Sequence, residues 1–103
     1  MALQPGLFNI TTATDTTLVT QRSQRGGLNF INIANINTEV IKISLFLDDG
    51  TNQTYFFKNN IINAGERIIL DKGINFDDST LSLKITTAKP IGVSAVNVNV
   101  IIK

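Results

Sequence analysis

The chain alternates. In the stretch TLSLKITT, Thr80 to Thr87, Leu81, Leu83 and Ile85 fall on one side and Ser82, Lys84 and Thr86 on the other. A repeat of two belongs to an extended strand, whose successive side chains leave opposite faces. An amphipathic helix would repeat its apolar residues every three to four positions, and no window of ten residues here does so. SAVNVNVII, Ser94 to Ile102, sets Val96, Val98, Val100 and Ile102 against Asn97 and Asn99. Thr38 to Asp48 aligns Ile41, Ile43, Leu45 and Leu47. Gly27 to Asn35 places Ile31 and Ile33 between asparagines, with Leu28 and Phe30 in the opposite phase, so a bulge is expected near Phe30. Gln53 to Lys58 and Glu66 to Leu70 read as shorter strands, and Leu7 to Thr20 as one bent strand or two.

Between the strands stand residues that tolerate positive φ or bond their own backbone: Asp48-Asp49-Gly50, Asn63-Ala64-Gly65, Asp71-Lys72-Gly73 and Asp77-Asp78-Ser79. Lys89-Pro90 closes the strand before the last. Strands spaced near ten residues apart predict an all-β fold, a single antiparallel β-sandwich of the jelly-roll or immunoglobulin-like kind, with seven or eight strands. A chain of 103 residues suits one such domain over 1–103, with a flexible N-terminal arm expected at about residues 1–6. At that size a single core buries about 65% of the unfolded surface.

The same residues say little for catalysis. There is no histidine, hence no usual general base near neutral pH and no Ser-His-Asp arrangement. There is no cysteine, which closes disulfides, thiol chemistry and thiolate zinc sites. A carboxylate pair about 5 to 9 Å apart would suffice for a glycosidase. Yet Asp15, Glu39, Asp48, Asp49, Glu66, Asp71, Asp77 and Asp78 fall nearly all in expected turns or at strand ends. Sugar sites also want aromatic platforms, and the chain has no tryptophan and one tyrosine, Tyr55. Asp48-Asp49-Gly50-Thr51-Asn52 lacks the alternate-position ligands of a helix-loop-helix calcium loop, and Asp-Gly between apolar strands signals a hairpin. A turn is therefore expected there, with a weak calcium site as the alternative. No catalytic residue, cofactor or metal is assigned.

Charge narrows the partners. Nine lysines and arginines against eight acids leave +1, too little to draw the chain to nucleic acid or an anionic membrane. The one basic feature, Gln21 to Gly27 with Arg22 and Arg25, reads as a solvated loop. No run of about 18 apolar residues suggests a membrane span, and MALQPGLFNITT has neither the basic nor the apolar region of a secretory signal. Protein partners remain. If the odd positions of the strand from Glu39 fill the core, Val40 and Phe46 lie outside, and Phe56 lies opposite Tyr55 and Phe57 on the next strand. Pairing would bring Phe46 beside Phe56, so Val40, Phe46 and Phe56 are the candidate protein interface, unless a long loop or the N-terminal arm covers them. Charged residues at 17% and hydrophobic ones at 43% favour the interface.

The ordered run LFLDDGTNQTYFFKNNIINAGERIILDKGINFDDSTLSLKITT carries a resemblance. Asp49-Gly50, Tyr55-Phe56, Ile62 with Ala64-Gly65, Ile69-Leu70 and Phe76 through Ile85 follow an apolar strand, a polar turn, an aromatic strand and an I-x-A-G segment in a familiar succession. Over about residues 28–103 the chain resembles small virion structural proteins of tailed phages, especially marine T4-like phages. The matching positions are turn and core positions, and they report fold better than role. The resemblance implies a non-enzymatic virion protein (head decoration, neck or tail) that binds itself as a homo-oligomer or docks on other virion proteins, found in the virion and assembled in the host cytoplasm. The alternative, read from Tyr55 and the asparagine- and aspartate-rich loops, is a carbohydrate- or receptor-binding module. A carboxylate enzyme is the third reading.

Overall fold

In the computed structural model, residues 6–21, 27–89 and 96–103 are described. The expected N-terminal arm up to residue 5, the arginines of the 22–26 loop and the turn at Pro90 lie outside them. The described residues form ten strands and no helix: β1 (Gly6–Ile10), β2 (Asp15–Val19), β3 (Gly27–Leu28), β4 (Ile31–Asn35), β5 (Ile41–Asp48), β6 (Gln53–Ile62), β7 (Arg67–Leu70), β8 (Ile74–Asn75), β9 (Ser82–Ala88) and β10 (Val98–Ile102). Eight of them make two four-stranded sheets, β1-β10-β4-β7 and β2-β9-β5-β6, and β3 pairs with β8 alone.

The pairings nest. β1 pairs with β10, β2 with β9, β3 with β8, β4 with β7 and β5 with β6, always antiparallel. The chain is thus one long ribbon, folded back at the β5–β6 turn and wound so that, β3–β8 apart, its rungs fall alternately in the two sheets. Two further contacts, β10 on β4 and β5 on β9, close each sheet. This winding is the double-sheet jelly roll, and it selects that architecture from the two sandwich types the alternation allowed.

The core is the set of inward alternate positions. Ile31 and Ile33, Ile41, Ile43 and Leu45, Leu83 and Ile85, and Val98, Val100 and Ile102 are fully buried and meet between the sheets. Leu7–Thr20 is two strands, one in each sheet. At Phe30 the expected bulge is a break instead: β3 ends, β4 begins, and Lys103 ties both neighbours through Asn29 N–H to its carbonyl and its own N–H to Phe30 O. The break lets Leu28 and Ile31, out of phase in a single strand, both be buried.

Among the described residues, two polar side chains are almost wholly inside, Asn35 and Thr87. Asn35, at the end of β4, donates from Nδ2 to the carbonyls of Glu39 and Ile62, both at 2.9 Å, and accepts the Asn37 N–H at 3.0 Å. Its backbone bonds Gly65 and Glu66. A buried amide is tolerable only when so satisfied, and this one pins the loop before β5 and the turn after β6 to the first sheet.

Candidate docking surfaces

The second sheet carries an aromatic cluster, but it joins Phe46 to Tyr55 and not to Phe56 as the sequence suggested. β5 sends Lys42, Ser44, Phe46 and Asp48 outward, and Phe46 sits between Lys84 of β9 and Tyr55 of β6. The Phe46 and Tyr55 ring centres are 5.1 Å apart and tilted by 43°. Lys58 Nζ lies 4.9 Å from the Tyr55 ring centre, within cation–π range. Phe46 is 2% exposed as a result. Its expected place at the surface is corrected: its neighbours bury it within the single chain. Val40 is half-buried just before β5, and Phe56 is 44% exposed.

Phe46 and Phe56 do not pair. The register steps from Leu45↔Phe57 to Phe46↔Tyr55, so Phe56 is an extra residue on β6. A second step, Ile43↔Asn60 to Leu45↔Phe57, adds another, and Asn59 there has φ 54°. Its N–H is received by the Ser44 hydroxyl at 2.9 Å. The bulges set Tyr55 against outward Phe46 while Phe57 packs on the core, where the expected pattern had them on one face. Phe56, with Phe57, Ile69, Leu70 and Ile74, lines a cleft of about 410 Å³ between the edges of the two sheets.

The aspartate turn is built from its own hydrogen bonds. Asp48 Oδ1 accepts the Gly50 N–H at 2.8 Å, and Asp49 Oδ1 accepts the N–H groups of Thr51 at 2.8 Å and Asn52 at 2.6 Å. Asp48 Oδ2 takes Lys84 Nζ at 2.9 Å. The Lys84 ammonium first, and the Gly50 N–H second, hold the Asp48 carboxyl below its ordinary value of 3.8. The Asn52 and Thr51 N–H groups do the same for Asp49, and the Ser79 hydroxyl and N–H for Asp77. Lowering of this kind marks carboxylates held by donors in turns, not an acid held protonated for catalysis. Among the described residues, no group of three or more acids converges as a metal site would require.

The first sheet presents a different outer face. Its pairings place Leu7, Ile101, Asn32 and Ile69 in one row across four strands, and Asn9, Asn99, Ala34 and Arg67 in the next. Leu7 is 71% exposed and Ile69 43%. Arg67 is the one charge in these two rows. A groove of about 320 Å³ runs beside β1, lined by Leu7, Phe8, Asn9, Asn99, Val100 and Ile101. The signal for this surface lay in adjacent apolar residues, Leu7-Phe8, Ile68-Ile69-Leu70 and Ile101-Ile102. In a strand, each such run must send one member to the outer face.

These features define the class: a jelly-roll sandwich in which Asp48, Asp49 and Asp77 serve turns and two outer rows of the first sheet hold one charge. No protein-family model matches the chain, and no curated protein matches it in sequence. Among solved structures, that of infectious bursal disease virus Gt strain contains a chain alike at a TM-score of 0.38 and 16% sequence identity, over 96% of this chain and 33% of that one. The present chain thus spans a third of that protein's length, and a likeness at this level carries no argument about function.

Proposed function

We propose that the chain is a non-enzymatic structural component of a virus particle, acting by association with copies of itself or with a larger assembly. One observation carries this reading: the row Leu7, Ile101, Asn32 and Ile69, apolar in three of four positions, which with the row beside it holds a single charge, Arg67. Burying such a surface against protein yields about 25 cal/mol per Å² of apolar area, less the entropy of association. Jelly rolls occur in viral capsids and in lectins alike, so the fold does not choose between them. The side chains favour association: Tyr55 is 38% exposed, but one flank of its ring meets Phe46 and Lys58 Nζ stands 4.9 Å from its centre, which leaves a sugar only part of the ring. The narrower assignment, to the head surface, neck or tail of a tailed phage, rests on the resemblance of residues 28–103.

The test is composition. Particles banded from the source of this chain should contain the protein at a fixed ratio to their major subunit, by quantitative mass spectrometry. Ile69→Lys should lower its incorporation while leaving the isolated chain folded. Particles free of the protein would refute the reading.

A further inference from the structure

Each four-stranded sheet has two edges, and an edge strand invites pairing unless something guards it. Three edges here are guarded. β2 starts at Asp15 and shifts register between Thr17 and Val19. β6 carries Lys58, two register shifts and the positive φ of Asn59. β7 is four residues long, opens on Arg67 after Glu66 and is followed by Asp71 and Lys72. The β3 and β8 strands have two residues each and template little. β1 has no such device. Its five residues, Gly6-Leu7-Phe8-Asn9-Ile10, carry no charge and keep a regular register with β10. No strand pairs on its other side among the described residues.

We propose that β1 is a homodimer seam, pairing antiparallel with β1 of a second copy about a two-fold axis and joining two four-stranded sheets into one of eight. The occupant follows from elimination. A row of backbone donors and acceptors is matched by another strand edge. Of the edges this chain offers, β2, β6 and β7 bring bulges or charges, so β1 against itself is the unguarded combination, and self-pairing makes an isologous contact. Full overlap sets Phe8 opposite Phe8, Leu7 opposite Asn9 and Gly6 opposite Ile10. No like charges meet. Leu7 of the second copy then falls beside the groove at Leu7, Asn9 and Ile101, where its exposed side chain gains cover. The proposal rests on the association reading above and names its partner.

Sedimentation across a range of concentrations reads it. The wild-type mass should climb from 11.2 kDa toward twice that value. Leu7→Lys with Asn9→Lys puts lysine opposite lysine at two places and should weaken dimerisation about tenfold or more. Leu7→Lys with Asn9→Asp puts lysine opposite aspartate at both and should recover much of the loss. In the wild type, amide exchange at Gly6–Ile10 should slow as concentration rises, which needs no variant. A wild type monomeric at all concentrations overturns the seam, as does equal dimerisation of the two double variants or concentration-independent exchange in β1. Association with unprotected β1 sinks the seam and leaves the association reading standing. A monomer also absent from purified particles sinks both.

Discussion

A phenylalanine on the outer side of a sheet is buried only if its neighbours bury it, and Phe46 has such neighbours. Tyr55 covers one flank and Lys84 stands directly across on the other. Phe46→Ser should therefore destabilise the chain by about 3 kcal/mol, as deletion of a buried ring does. Phe56→Ser, at a half-exposed ring, should cost less than about 1 kcal/mol. Urea unfolding at constant slope measures both, and equal losses would mean that Phe46 is not sealed. The aspartates act at the same scale. Asp48, Asp49 and Asp77 have folded-state carboxyls lowered below 3.8. Their contribution is whole above the unfolded value and is lost as pH falls through the lower folded values. Stability should hold from neutral pH to about pH 4 and then fall. Asp48→Asn should flatten that fall, since Lys84 then has no carboxylate to lose. Melting temperatures of both proteins between neutral pH and about pH 3 decide it, and parallel curves would refute it.

At the scale of the strand, β6 is the instructive element. Two extra residues against β5 make an edge strand that changes phase twice along its length. The Ser44 hydroxyl holds the second bulge by taking the Asn59 N–H. Ser44→Ala removes the acceptor of this hydrogen bond and should cost about 1 kcal/mol. Asn59→Gly, better suited to φ 54°, should be neutral or slightly stabilising. Losses of equal size in both variants, by denaturant melt, would argue against the bulge as drawn. The bulges also explain what the sequence could and could not disclose. Inner faces of β4, β5, β9 and β10 were legible because Ile31, Ile43, Leu83 and Val98 keep strict alternation over a regular register. β6 was not, because alternation presumes one residue per step, and the strand runs four residues beyond the expected Lys58 to Ile62. Phe46 misled for a related reason: a binary pattern assigns a face, while exposure on that face depends on the cross-strand neighbour. The apolar row of the first sheet joins residues of β1, β10, β4 and β7, and only the pairing assembles it.

The nested ribbon orders the whole molecule's folding. β5 and β6 are joined by the short Asp49–Asn52 turn, while β1 meets β10 across nearly the entire chain. Loop closure costs more entropy as the enclosed chain lengthens, so the hairpin is the natural nucleus and the β1–β10 rung closes late. Two glycines separate these stages. Gly50 sits in the hairpin turn at φ 97°, where an alanine is strained by about 1 kcal/mol. Gly6 starts β1, and a methyl there would come within 2.6 Å of Ile102 Cγ1, costing about 1 to 2 kcal/mol as the isoleucine is displaced. If the hairpin forms in the transition state, Gly50→Ala should slow folding by nearly its full equilibrium cost and leave unfolding unchanged. If the outer rung forms afterwards, Gly6→Ala should speed unfolding and leave the folding rate near that of the wild type. Stopped-flow folding and unfolding rates across urea concentrations separate the cases. A Gly6→Ala chain that folds slowly and unfolds normally would place the β1–β10 closure first and reverse the order.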